Sequence, residues 1–333
     1  MKNIFPIFII LLFTFCGQEK EIQNEAGKES VHKEDWKKAN AGFENMKIEI
    51  LENKILVENK IGKFRDPKFS TDGTKIFFTT ENFNEIWLYN LKEETLNKII
   101  TLPQCGYNFQ ISEDGENVLF RNKVNQGKKS FSILSYSLKN KAINVIYASD
   151  KRLSPPILGD SLIYCLEEAK PVCINYNSKK VQTNFSSPFL FVENNKLQKV
   201  TEKIDTLKIP NNIEPVESYY SKDLENVFVL TKSIGIIVYS KLGDPINIIK
   251  EANYISKLYK SNLIVFTKEV KGEGQKISTK LFIGFLESNK EIEILADTDY
   301  QKLYPDWSPI ENKIVFATES GDLKIIHFNI QKK

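Results

Sequence analysis

One phrase recurs along this 333-residue chain, and it restricts the fold more than any other feature. Residues 66–78 read DPKFSTDGTKIFF, residues 108–120 NFQISEDGENVLF, residues 305–316 PDWSPIENKIVF, and residues 220–229 a fainter YSKDLENVFV. Each reads as a short strand ending at a serine, a polar turn, and a second, apolar strand. A β-unit this small cannot bury its own apolar face, so its copies must stack on one another.

The copies align on Ser70, Ser112, Ser221 and Ser308. Six positions on stands a β-branched residue (Ile76, Val118, Val227, Ile314), and eight positions on stands Phe78, Phe120, Val229 or Phe316. The interval of two puts both on one face of the strand, which is the face expected to be buried. Asp72-Gly73 and Asp114-Gly115 fill the turn, where glycine accepts positive φ and aspartate can bond nearby backbone N–H groups. Such a loop could instead hold calcium, but one or two carboxylates per turn fall well short of the six or more oxygens that ion takes. The plain turn is the preferred reading.

A third strand follows at Glu85 to Leu91 in the first unit and at Leu323 to Ile330 in the last. A fourth follows at Leu96 to Thr101, and in the second unit at Ala142 to Tyr147. Four short antiparallel strands per unit describe a propeller blade.

The phrases DPKFSTDGTKIFFTT and YPDWSPIENKIVFAT resemble the strand–turn–strand repeat of TolB-type β-propellers, which carry WD40-like repeats. The resemblance covers about residues 48–333, and the last copy departs from it at the turn, where Ile310-Glu311 replaces Asp-Gly. It implies an all-β chain and a non-catalytic role, the recognition of an envelope protein or peptide through loops and the central channel. From Ser70 to Ser308 the spacing fits seven blades of about 40–45 residues. Six is the alternative and the usual number in TolB-type propellers. Residues 153–182 are expected to form one blade and residues 187–210 a degenerate one. The last unit lacks a fourth strand, and residues 54–61 (KILVENKI) are strand-like. This N-terminal segment is expected to pair with 323–330 and close the ring, which removes the exposed edges a sheet must otherwise protect.

Residues 1–15 read MKNIFPIFIILLFTF, a lysine followed by an apolar run from Ile4 to Phe15. The run is shorter than the roughly 20 residues a membrane span needs and suits an export signal. It ends at Cys16-Gly17, which resembles a bacterial lipoprotein signal in which Cys16 is acylated. That resemblance implies a membrane-anchored protein of the cell envelope, with a cleaved soluble export or an uncleaved anchor as alternatives. Residues 16–47 are rich in Glu, Lys, Asn and Ala and are expected to be a flexible tether. A short helix around Trp36 and Phe43 is the other reading.

Lys plus Arg is 46 and Asp plus Glu 43, mixed along the chain without a basic block. Nucleic-acid binding needs a concentrated positive footprint, and KGEGQK at 271–276 reads as a hairpin loop. Cys165 and Cys173 flank LEEAKPV in an expected hairpin with its turn near Glu168 to Lys170. On that register they oppose one another as a candidate disulfide, with two reduced, buried thiols as the alternative. Cys105 is left unpaired and buried.

Only two histidines exist, His32 and His327, too far apart for a shared metal cage or acid–base pair. There is no G-x-S-x-G nucleophile elbow and no phosphate-cradling glycine loop. No cofactor is implied. A carboxylate site in the channel, as in a lactonase-like, calcium-dependent hydrolase, is the second reading, and a surface-exposed adhesin the third. Trp87, Tyr89 and Trp307 fall at repeat positions and are expected to pack between blades.

Overall fold

The computed structural model describes residues 46–332 apart from 125–129, 160, 183–187, 202, 210–212, 272–276 and 289. The signal-like residues 1–15, Cys16, His32 and the tether as far as residue 45 lie outside the described residues. Almost every described element is a strand; a single 3-10 turn, Asn59–Ile61, is the exception.

The strands form seven separate antiparallel sheets. In chain order these are blade 1 (64–101), blade 2 (110–149), blade 3 (157–182), blade 4 (189–206), blade 5 (215–250), blade 6 (252–294) and blade 7 (302–332). Six sheets have four strands, and blade 4 has three among the described residues. Seven is the preferred of the two expected counts. The strand Met46–Val57 supplies the outermost strand of blade 7, paired antiparallel with Leu323–Lys332 from Ile48↔Ile330 to Val57↔Leu323. The ring is thus closed by an N-terminal strand, as the incomplete last repeat requires. The segment 54–61 divides, however. Lys54 to Val57 pairs in the sheet, while Asn59 turns out of it, its N–H donating to Asp322 Oδ1 at 2.8 Å and its Nδ2 to the Ser320 carbonyl at 2.8 Å.

Seven hydrophobic clusters hold the ring, one at each junction between neighbouring blades. The repeat explains their composition. Ile76 and Phe78 pack towards blade 7, with Val315 and Ile325, while Phe77 between them packs towards blade 2, with Val118 and Phe120. Val118 and Phe120 face blade 1, and Leu119 faces blade 3. Ile314 and Phe316 face blade 6, and Val315 faces blade 1. The second strand therefore has two buried faces, not the single one expected from its period, because a blade is sandwiched between two others. Each such side chain contributes about 1.5–3 kcal/mol by leaving water. Trp87 and Tyr89 pack at the junction of blades 7 and 1, and Trp307 is fully buried at that of blades 6 and 7.

The serine that marks each repeat closes the turn. Its N–H donates to the carbonyl five residues on, as in Ser70 to Lys75 and Ser112 to Asn117, both at 2.9 Å. Its hydroxyl accepts from the N–H of that same residue, at 3.0 Å for Lys75 and 2.8 Å for Asn117. It donates to the turn aspartate: Ser70 to Asp72, Ser112 to Asp114 and Ser221 to Asp223. In blade 7 Ile310 takes the aspartate's place, and the buried Ser308 hydroxyl has no partner.

Candidate functional site in the central channel

First-strand residues of the seven blades line a cavity of ≈ 1720 Å³. Each first strand runs from the leading end of the channel, where the chain comes into the blade, towards the turn end marked by the serine.

Near the turn end the cavity wall is tied together by two carboxylates. Asp306 of blade 7 is buried and accepts from three neighbours: the Phe69 N–H of blade 1 at 2.6 Å, the Ser256 hydroxyl of blade 6 at 2.7 Å, and Lys222 Nζ of blade 5 at 2.5 Å. Asp223 of blade 5 accepts from Lys257 Nζ of blade 6 at 2.8 Å and from the Lys260 N–H at 3.1 Å. Burial pushes the Asp223 carboxyl up, but Lys257 and Ser221 outweigh it and hold it below its ordinary value.

The leading end differs. Four residues before the serine, Asp66, Asn108 and Tyr304 adopt φ of 52°, 52° and 53°. In blades 1 and 7 a bulge accompanies this, between Arg65 and Lys68 and between Leu303 and Asp306. A left-handed non-glycine residue costs about 1–2 kcal/mol, and bulges re-aim side chains. Here they accompany a continuous chain of rings and cations in the cavity wall. Tyr254 of blade 6 lies against Tyr304, centroids 4.1 Å apart. The Arg65 guanidinium sits between Tyr304 and Phe83, 4.6 and 4.5 Å from their centroids, and bonds the Tyr304 hydroxyl. Phe83 meets Tyr107 edge-on at 5.3 Å, and Arg121 stands 5.7 Å from the Tyr107 ring.

Across the channel, Glu217 of blade 5 accepts from the Tyr107 hydroxyl at 3.2 Å and from Asn108 Nδ2 at 2.6 Å. Burial, reinforced by Glu217, pushes the Tyr107 phenol up to about 12. Burial lowers the Arg121 pKa, with Tyr107 opposing and Arg152 assisting, and the guanidinium remains a cation.

Among the described residues no three His, Cys, Asp or Glu side chains gather as metal ligands. His327 lies on the third strand of blade 7, half-buried and outside the cavity lining. Cys165 and Cys173 are placed in one hairpin, as expected, but with a different register. The turn is the two-residue pair Glu168-Ala169, both at positive φ, so Tyr164 opposes Cys173 and Cys165 opposes Val172. The two thiols are free and face opposite ways, Cys165 towards blade 2 and Cys173 towards blade 4. A one-residue offset turns a side chain to the other face, and facing away they cannot be bridged without moving backbone. Cys105 is free and buried. Sequence reading named no channel residue, because the repeat shows which positions line the channel only once the blades are assembled.

No family model and no curated protein matches the chain. Solved structures do. The β-propeller domain of Cps50 (Swd1) from Myceliophteria thermophila aligns at TM-score 0.56 and 10% identity, over 84% of this chain and 99% of that one. A chain of the mitotic checkpoint complex aligns at TM-score 0.56 and 11% identity, over 84% and 91%. This chain is a seven-bladed β-propeller. The propeller domain of the trilobed protease from Pyrococcus furiosus aligns as well, at TM-score 0.55 and 15% identity over 82% and 95%. At such identities the likeness is one of fold, and it assigns no activity to this propeller.

Proposed function

We propose that this propeller is a non-catalytic binding module of the bacterial cell envelope, held to a membrane through an acylated Cys16, and that it takes a protein or peptide partner into its channel. The observation that carries the reading is the channel itself. At ≈ 1720 Å³ it exceeds the roughly 300–1,000 Å³ of ordinary small-molecule sites, and its wall offers tyrosines and charges from several blades. Tyrosine combines a large apolar face with a hydroxyl, which suits protein recognition. The TolB-type resemblance of the repeat phrases supports the same mode, and the apolar run ending at Cys16 supports the anchor.

A photo-crosslinking side chain at Tyr259, which lines the cavity, should capture a discrete partner in cells. The same group at Ile143, exposed on the outermost strand of blade 2, should not. Equal capture from both positions, or none from Tyr259, would end the channel reading. Radiolabelled palmitate should enter the wild type and be lost in Cys16→Ala; absence of label in both would remove the anchor.

A further inference from the structure

Of the 46 Lys and Arg residues in the chain only three are arginines: Arg65, Arg121 and Arg152. All three line this one cavity. A chain that uses lysine for its other basic side chains gains something specific from arginine. The guanidinium is a planar fork with five N–H donors, matched to an oxyanion in two-point contact, whereas an ammonium is a point charge.

Three features show that the fold leaves the charge of these forks unneutralised and some of their donors unused. No carboxylate of the described residues forms an ion pair with any of them, whereas the two lysines of the cavity wall are paired, Lys68 with Asp66 at 3.5 Å and Lys222 with Asp306 at 2.5 Å. The Nε of Arg65 and the Nε of Arg121 are both buried and without a hydrogen-bond partner. The contacts that are made fix position. Arg121 donates to the Leu153 carbonyl at 2.9 Å and to Gln104 Oε1 at 3.2 Å, and Arg65 is clasped between two rings. The set also grades in depth, from Arg152, exposed at the rim, to Arg121, which is 8% exposed.

We propose that the leading end of the channel is a carboxylate-recognition site, which takes the acidic side chains or terminal carboxylate of an extended peptide. The proposal rests on the peptide-binding reading above and names its chemistry. Arg65 and Arg121 supply the donors. Phe83 and Tyr107, between them, supply apolar faces for the intervening residues. Glu217 stands across the channel, which disfavours a bare anion and favours a ligand that brings N–H donors beside its carboxylate.

The test is fluorescence anisotropy on the full-length protein with a labelled Glu-Tyr-Glu-Tyr-Glu peptide, its Gln-for-Glu counterpart, and inorganic phosphate as competitor. The acidic peptide should bind at least about tenfold more tightly than the Gln peptide, as charge-assisted hydrogen bonds require. Arg121→Lys and Arg152→Gln should each weaken it several-fold. Arg152 is exposed, so its variant tests the idea without endangering the fold. Equal affinity for the two peptides, unchanged affinity in both variants, or displacement by phosphate at concentrations where acetate is inert would overturn the proposal. Capture at Tyr259 without any acidic-peptide binding would sink the carboxylate site alone. Arginine-dependent peptide binding without capture would sustain the site and sink the cellular partner.

Discussion

Lys222 of blade 5 reaches past blade 6 to Asp306 of blade 7, with Nζ 2.5 Å from Oδ2. The same ammonium donates to the Trp307 carbonyl at 3.2 Å. Asp306 also gathers the Phe69 N–H and the Ser256 hydroxyl, so one buried carboxylate links four blades. Asp306→Asn should cost about 2–4 kcal/mol, since it leaves the half-buried Lys222 ammonium without its carboxylate and the buried Phe69 N–H poorly matched. Lys222→Met should cost less, because its side chain is 23% exposed. In urea unfolding the double variant should lose clearly less than the two single losses combined. Strict additivity would show that the pair is not coupled.

Blade 7 meets blade 1 at the turns. A methyl placed on Gly73, which sits at φ 67°, would come within 2.6 Å of Ile310 Cγ1. Gly73→Ala should therefore destabilise by about 1–2 kcal/mol, from left-handed strain and the clash together. Ile310→Asp restores the turn aspartate and a partner for the Ser308 hydroxyl, and Ile310 is 61% exposed. It should stabilise by about 0.5–1 kcal/mol. A destabilised Ile310→Asp in thermal melts would show that the packing on Gly73 outweighs the hydroxyl.

Alkaline pH should weaken the fold through groups held neutral by burial. Cys105 and Cys165 are pushed up from 9.0 to about 11 and about 12, and Tyr107 from 10.0 to about 12. The folded form holds these protons more tightly than the unfolded chain. Their contribution is complete below about pH 9 and is lost as pH rises towards 12. The urea midpoint should fall steeply over that window, and Cys165→Ala should flatten part of the slope. The native thiols should resist alkylation near pH 8. Since Cys165 and Cys173 face opposite junctions, a reductant should leave the melting temperature unmoved; a drop would mean that they are bonded.

Removal of Met46–Val57 leaves the strand Leu323–Lys332 with a bare edge and strips part of the apolar cover of two junctions, since Leu56 and Val57 pack between blades 7 and 1, and Ile48 and Ile50 between blades 6 and 7. The propeller should then unfold cooperatively at much lower temperature. Phe328→Ala, at a fully buried position of the same blade, should cost about 3–5 kcal/mol. An unchanged melting temperature in the truncated chain would refute closure by this strand.

Blades 1, 2, 5 and 7 were legible because Ser70, Ser112, Ser221 and Ser308 mark a turn whose chemistry is local. Blade 6 uses the same turn without the marker. Leu258 stands in the serine's place, and its N–H still donates to the Leu263 carbonyl at 3.0 Å. The Leu263 N–H, whose counterparts in blades 1 and 2 meet the marker serine, donates instead to the Ser261 hydroxyl at 3.1 Å, so the serine stands three residues later and the phrase loses its spacing. The register of the Cys165 hairpin differs from the expected one for a related reason. A shift of the turn by half a residue moves every cross-strand partner, and Glu168-Ala169 carries no glycine or asparagine to announce it.

The sequence by itself determined the repeating unit, its strands and the need for a closing strand, because period-two burial and turn chemistry act over a few residues. Only the tertiary structure decided that Phe77 has a buried neighbour on its own side of the blade, that Lys222 meets Asp306, and that Arg65, Arg121 and Arg152 share one cavity. Those relations join residues tens to hundreds of positions apart, and closure of the ring is what brings them within reach.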